Sequence, residues 1–281
     1  MIRFDNVTKR YGNTAAMDGF SWAAERTGIY CLLGRNGAGK TTLMKLAAGH
    51  IGPTAGAVFV NGAQVKMFAM PDAAHFVESG AAQFNVKLSA LFRYAADVNP
   101  SFDLDFALAL AKRFKLDLNK RYKHLSFGMK AMASTLIALS SGREILLLDE
   151  PVLGFDPVMR KVFYDMLQEA VAAKPKTVIV STHIIDEIEK VADSLIIIDK
   201  GRLVLCCGMA EIDEKAYSVI GPAEPVKAAT EGLRVIGETK AGGFLSRYVY
   251  DRRVKPSDKY TVSGLGLQEF FIGLVGTEDA L

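Results

Sequence analysis

The chain has 281 residues, half of them hydrophobic, with 34 lysines and arginines against 31 aspartates and glutamates and a formal net charge of +3. That length accommodates one large or two smaller packed domains, and a weak positive charge without any block of like charge points to no nucleic-acid partner. Three cysteines, Cys31 in an apolar run and the neighbours Cys206 and Cys207, form neither a disulfide framework nor paired C-x-x-C metal spacing, and a reducing cytosol suits them. The N-terminus lacks the charged-then-apolar pattern of a signal segment, and no apolar run reaches the roughly eighteen residues of a membrane span, so the chain is not expected to cross a membrane by itself.

Residues 2–7 alternate apolar and polar side chains imperfectly and predict a strand, and residues 9–13 (Lys-Arg-Tyr-Gly-Asn) read as a turn. The apolar run 28–33 predicts a buried strand, and residues 42–48 open a helix. Between them lies Gly34-Arg35-Asn36-Gly37-Ala38-Gly39-Lys40-Thr41, which fits the phosphate-loop pattern G-x-x-x-x-G-K-[ST]. The glycines let the backbone wrap an anion, and the N–H groups at the helix start, with Thr42 next in line, face a polyphosphate. Lys40 adds a point charge and the Thr41 hydroxyl is placed to ligate Mg²⁺. Tyr11, one short antiparallel excursion earlier, is either a ring that stacks on a nucleotide base or an ordinary half-buried strand tyrosine.

A glycine-proline loop at residues 52–56 precedes a short strand at 57–60 that ends on Asn61-Gly62. Helical spacing then governs 86–98, 103–116 and 130–139, a helical insertion spanning about 79–141. The strand pattern resumes at Ile145-Leu146-Leu147-Leu148, which delivers Asp149 and Glu150 to a strand's C-terminal end, where parallel sheets hold their ligands. The pair reads either as the carboxylate of a Mg²⁺ shell beside a group that polarises water, or as solvated strand-end charges. A helix over 158–173, a strand over 177–181 ending at Thr182-His183, and a strand over 194–199 complete a βα rhythm that predicts a parallel sheet with helices on both faces. His183 on its own reads equally as a satisfied strand-end histidine. Beyond about Met209 the rhythm stops; residues 211–281 predict a small appended β-containing domain with one strand over 244–250 and a last helix near 267–274, and no recognisable chemistry.

Taken in order, Gly34 to Thr41, Leu125-Ser126-Phe127-Gly128-Met129, residues 145–150, Gly154-Phe155-Asp156-Pro157 and Ser181-Thr182-His183 resemble the ATP-binding subunit of ATP-binding cassette (ABC) transporters over residues 1–210. The resemblance implies an α/β cassette with a mostly parallel central sheet, an antiparallel β-subdomain and a helical insertion, followed by a small C-terminal α+β domain. It implies a Mg²⁺-dependent ATPase in which Lys40 and Thr41 hold phosphate and metal, Asp149 belongs to the metal shell, Glu150 is the catalytic glutamate, His183 touches the γ-phosphate and Tyr11 stacks on adenine. Ser126 and Gly128 would reach the ATP of a second cassette, identical or not, with Asp156 in the loop between subunits. A separate transmembrane permease would be driven by closure of that dimer, with the chain peripheral on the cytoplasmic membrane face.

Two departures qualify the resemblance. Phe127 and Met129 stand where the common signature L-S-G-G-Q has Gly and Gln, and Glu78 stands where the family's metal-side glutamine is expected. Glu78, the Gly128-Met129-Lys130 run and Asn99-Pro100-Ser101-Phe102-Asp103 resemble a bacterial exporter branch found with antimicrobial-peptide export and self-immunity. The competing class, a soluble cassette ATPase that remodels ribosomes or DNA, usually carries two fused cassettes, a long coiled coil or zinc sites, none of which occurs here.

Overall fold

The computed structural model describes residues 1–78 and 84–276. The chain opens with β1 (Ile2–Tyr11) and β2 (Thr14–Ala23), an antiparallel pair turning at Gly12-Asn13, then β3 (Gly28–Leu33), the phosphate loop and α1 (Lys40–Ala47). β4 (Ala55–Val60), β5 (Ala63–Gln64) and β6 (Ala74–Glu78) follow, and the helical insertion contributes α2 (Leu88–Val98), α3 (Leu104–Arg113) and α4 (Phe127–Ser140). Then come β7 (Ile145–Asp149), α5 (Pro157–Ala173), β8 (Thr177–Ser181), the one-turn α6 (Ile185–Ile188), β9 (Ser194–Asp199) and β10 (Arg202–Gly208). The tail holds α7 (Met209–Lys215), β11 (Ala216–Pro222), α8 (Ala223–Ala229), β12 (Val235–Ala241), β13 (Phe244–Tyr250), β14 (Thr261–Gly264) and α9 (Leu267–Val275).

The central sheet has the order β10-β9-β3-β8-β7-β6, parallel except for the antiparallel β10 at its edge. Its inner strands are buried along nearly their whole length and mainly apolar because both faces are covered, as all-parallel sheets require. Successive residues alternate between two cores: Cys31, Leu146, Leu148, Val178 and Val180 face one side, and Leu32, Ile145, Leu147 and Ile179 the other. The first side is packed by α4, α5 and α6, through residues such as Leu136, Phe163 and Ile188. The second is covered by α1 together with a separate antiparallel sheet, β2-β1-β4-β5, through Phe4, Phe20, Leu43 and Val58.

Helices thus lie on both faces as expected, α4–α6 on one and α1 on the other, where the antiparallel β-subdomain shares the surface. The expected first turn is corrected, since residues 9–11 continue β1 and the bend falls after Tyr11, where Gly12 takes a positive φ of 57°. The tail contains four strands in the order β12-β13-β11-β14, where one had been legible, around a small core of Tyr217, Val219, Val226, Leu245 and Val249. The last helix instead buries Leu267 and Phe270 in the main core, with Phe270 meeting Tyr250 edge to face at 5.0 Å. Residue 79, the expected start of the helical insertion, and residues 277–281 lie outside the described residues.

Candidate active site

The C-terminal ends of β3, β7 and β8 converge on the phosphate loop. Gly39 caps α1 in a left-handed conformation, φ 107°, and a Cβ there would stand 2.4 Å from the Ala16 carbonyl oxygen, so no other residue fits this turn without displacing the backbone. The loop thereby aims the first N–H groups of α1 outward, together with the positive end of the helix dipole. Lys40 Nζ donates to the carbonyls of Gly34 at 2.6 Å and Arg35 at 3.3 Å. Burial pulls the Lys40 amine below its ordinary range, and the Glu150 and Asp149 carboxylates oppose that shift.

Asp149 is buried at the end of β7, 6% exposed, and its two oxygens are both engaged: Thr41 Oγ1 donates to Oδ2 at 2.6 Å and Ser181 Oγ donates to Oδ1 at 2.5 Å. The parallel register sets Asp149 beside Ser181 on one side and Glu78 on the other. Glu150 follows in the left-handed region, φ 50°, a strained conformation for a side chain with a Cβ. Its N–H is held by the Ser181 carbonyl and hydroxyl, each at 3.1 Å. The turn sends the Glu150 carboxylate to His183, whose Nδ1 lies 2.8 Å from Oε2. Desolvation raises the Glu150 pKa, with His183 and then Lys40 pulling it down and Asp149 pushing it up. A carboxylate moved toward neutrality in this way is a stronger proton acceptor than an exposed one.

One cleft is lined by Tyr11, Ala16, Arg35, Asn36, Gly37, Ala38, Gly39, Lys40, Thr41, Thr42, Asp149 and Glu150. Tyr11 sits at its lip, 51% exposed, with Lys9 Nζ 5.3 Å from the ring centroid. Ser126, Gly128 and Asp156 do not line this cleft. Ser126 caps α4, accepting from the Met129 N–H at 3.3 Å, and Asp156 caps α5, accepting from the Met159 N–H at 2.8 Å. Gly128 lies where a Cβ would stand 2.8 Å from the Gly154 carbonyl oxygen, so the signature segment and the Gly154-Phe155-Asp156 segment are packed backbone to backbone.

Glu78 is not gathered with Thr41: its carboxylate pairs with Lys45 Nζ at 2.7 Å and lines a different groove, with His50, His75 and Tyr94. Among the described residues no cluster of three or more His, Cys, Asp or Glu side chains could hold a metal by itself. Thr41 and Asp149 place two hard oxygens beside the phosphate loop, a donor set that could hold Mg²⁺ on a nucleotide.

The comparisons with known proteins agree with this geometry. The family model described as "ABC transporter" matches residues 17–153. The Nod factor export ATP-binding protein I of Mesorhizobium japonicum is 32% identical over 267 residues, covering 85% of this chain and 75% of the relative. The chain belongs to the ATP-binding subunits of the ABC transporter family. The homologous Nod factor export protein of Burkholderia orbicola, at 27% identity, aligns over 99% of this chain and 97% of its own length. Among solved structures, an ATP-binding subunit of an ABC transporter superposes with a TM-score of 0.66 at 23% identity over 75% of this chain and 91% of that one, a likeness of fold. As an ABC subunit the chain binds ATP and hydrolyses it, and among its described residues no helix is long and apolar enough to cross a membrane.

Two parts of this site of the cassette escaped sequence reasoning. Ser181 stands in the Ser181-Thr182-His183 motif with no role of its own assigned, yet it ties Asp149 and Glu150 together; the signal was its place at the same strand-end level as Asp149. Phe271 of α9 borders the far side of the phosphate loop, sharing a cavity with Gly34, Arg35, Asn36, Thr182 and His183. No local motif marks Phe271, because its relation to the loop arises only when the tail folds back.

Proposed function

We propose that this cassette is the motor of an exporter, in which ATP draws two cassettes together and hydrolysis at Glu150 lets them part. The observation that carries the reading is the continuous set Thr41–Asp149–Ser181–Glu150–His183, joined by contacts of 2.5–3.1 Å at the mouth of the phosphate loop. In it Lys40 and the loop N–H groups bind the β- and γ-phosphates, Thr41 and Asp149 hold Mg²⁺, and Tyr11 stacks on the base. When bound, Mg²⁺ neutralises charge developing on the phosphates. Glu150 takes up the proton of the attacking water, and His183 orients Glu150 and contacts the γ-phosphate.

Ser126, Gly128 and Asp156, kept out of their own chain's cleft, complete the site of a second cassette that approaches head to tail. The groove walled by His50, Phe76, Phe84, Leu91, Tyr94 and Val98 beside Glu78 is apolar and opens at the junction of the α/β core and the helical insertion. It receives a cytoplasmic segment of a separate transmembrane permease, which makes the chain peripheral to the membrane. The cassette proper ends near residue 210, and residues 211–276 form an accessory domain. Export is the direction carried in the names of the Nod factor relatives.

Glu150→Gln tests the assignment. ATP binding, measured by equilibrium titration, is expected to persist while turnover falls by about a thousandfold, on the order of 4 kcal/mol in barrier. ATP with Mg²⁺ should then hold the variant as a dimer on size-exclusion chromatography. Wild-type turnover in this variant would overturn the catalytic reading.

A further inference from the structure

A second pocket lies at the opposite end of the central sheet from Asp149 and Ser181, near the N-terminal ends of β7 and β8. It measures about 460 Å³ and is bounded by α3, α4 and α5, its wall largely apolar: Phe106, Leu110, Leu139, Met166 and Ala170. Lys176, immediately before β8, lines it and is only 4% exposed. The two-residue repeat of a strand explains the direction, since Val178 and Val180 face the same helices and Lys176 continues their row.

Among the described residues the Lys176 amine has no hydrogen-bond or ion-pair partner, and the two acids that line the pocket, Glu169 and Asp103, are engaged by other groups. Glu169 is bound by Arg113 at 2.5 Å and Asp103 accepts from the Phe106 N–H at 2.8 Å. Burial, with Lys174 adding to it, holds the amine below the ordinary lysine range, and no carboxylate counters that shift. Ser140, also lining the pocket, is 1% exposed and its hydroxyl is buried without a hydrogen-bond partner. The Ser140 hydroxyl is closed off from the pocket, so Lys176 carries the polar contact there.

We propose that this pocket binds a small amphipathic carboxylate, its head group on Lys176 and its apolar body against Leu139, Met166 and Ala170. The lining sets Lys174, Lys176 and Arg113 against Asp103 and Glu169, and this surplus of one positive charge matches a singly charged head group, whereas a phosphate dianion calls for a larger set of donors. The volume is in the range of small-ligand sites, and the apolar wall gives binding energy to a short alkyl or aromatic body. Because the pocket is at the far end of the sheet, its occupant does not compete with ATP.

Calorimetric titration of the full chain with octanoate, octylammonium and inorganic phosphate tests this. Octanoate should bind saturably at one site, with or without ATP, while octylammonium and phosphate should not. Lys176→Met should weaken octanoate by about tenfold or more with basal ATPase unchanged. Ala170→Phe, which fills the pocket and leaves the amine, should abolish binding. The proposal falls if octanoate does not bind the wild type, if it binds Lys176→Met or Ala170→Phe equally well, or if phosphate binds as tightly.

Discussion

The central sheet and the tail sheet are made from the same kinds of residue and behave as different materials. In the central sheet every residue of β3, β7 and β8 is buried, and two apolar cores press on it. In the tail, β12 and β14 have no buried residue and β13 buries only Leu245, Val249 and Tyr250, around a core of a few side chains. The contrast shows where precision is stored. A sheet enclosed on both faces fixes its strand ends tightly enough to hold Thr41, Asp149 and Ser181 within hydrogen-bond reach, whereas a sheet with one wet face tolerates looser register.

The comparison is tested most severely at the strand ends. Lys40→Ala should lower ATP affinity by about a hundredfold or more, because it removes the cation from a phosphate site, while leaving thermal stability near wild type. A large fall in melting temperature would instead make Lys40 part of the scaffold. Next in size are the cores themselves. Leu147→Ala is expected to cost about 3–5 kcal/mol in a region with little freedom to collapse, and Leu245→Ala in the tail nearer 2–3 kcal/mol. Denaturant unfolding of both variants checks this, and equal costs would erase the distinction.

A smaller effect concerns Glu150. Its pKa is raised chiefly by desolvation and held down in part by His183, so the acid limb of ATP turnover should lie above the ordinary glutamate range. His183→Ala should move that limb to higher pH in whatever activity remains, and a pH–rate profile reads the shift directly. A limb displaced to lower pH would contradict the assigned contact. Smallest is the effect of His75, whose burial and the neighbouring Arg143 push its pKa down to about 4. A histidine held neutral in this way contributes stability that is full above its unfolded pKa of about 6.5 and is lost as pH falls toward 4, on the order of 2 kcal/mol. His75→Phe should flatten that part of the stability–pH curve.

The same contrast explains which parts of the fold were legible. The run 145–148 could only be a strand buried on both faces, and the helices of the insertion declared themselves by spacing, so the α/β cassette was readable. The tail was not, because β11 and β12 are punctuated by Gly221 and Gly237 and stabilised by pairing across the chain rather than by local preference. At Glu78 the structure adds a contact that motif order did not show: its carboxylate pairs with Lys45, one turn into α1.

By itself the sequence determined the chemistry on offer: a phosphate loop, two carboxylates at a strand end, a histidine at the next, and a signature segment, because each depends on residue type within a few positions of backbone. Only the tertiary structure decided which of these groups meet. It joined Ser181 to Asp149 across a parallel register, separated Ser126 and Asp156 from their own chain's cleft, folded Phe271 back to the phosphate loop, and left Lys176 without a partner among the described residues in an apolar pocket. Those juxtapositions come from residues distant in sequence, held together by burial, and burial is a property of the folded whole rather than of any short stretch.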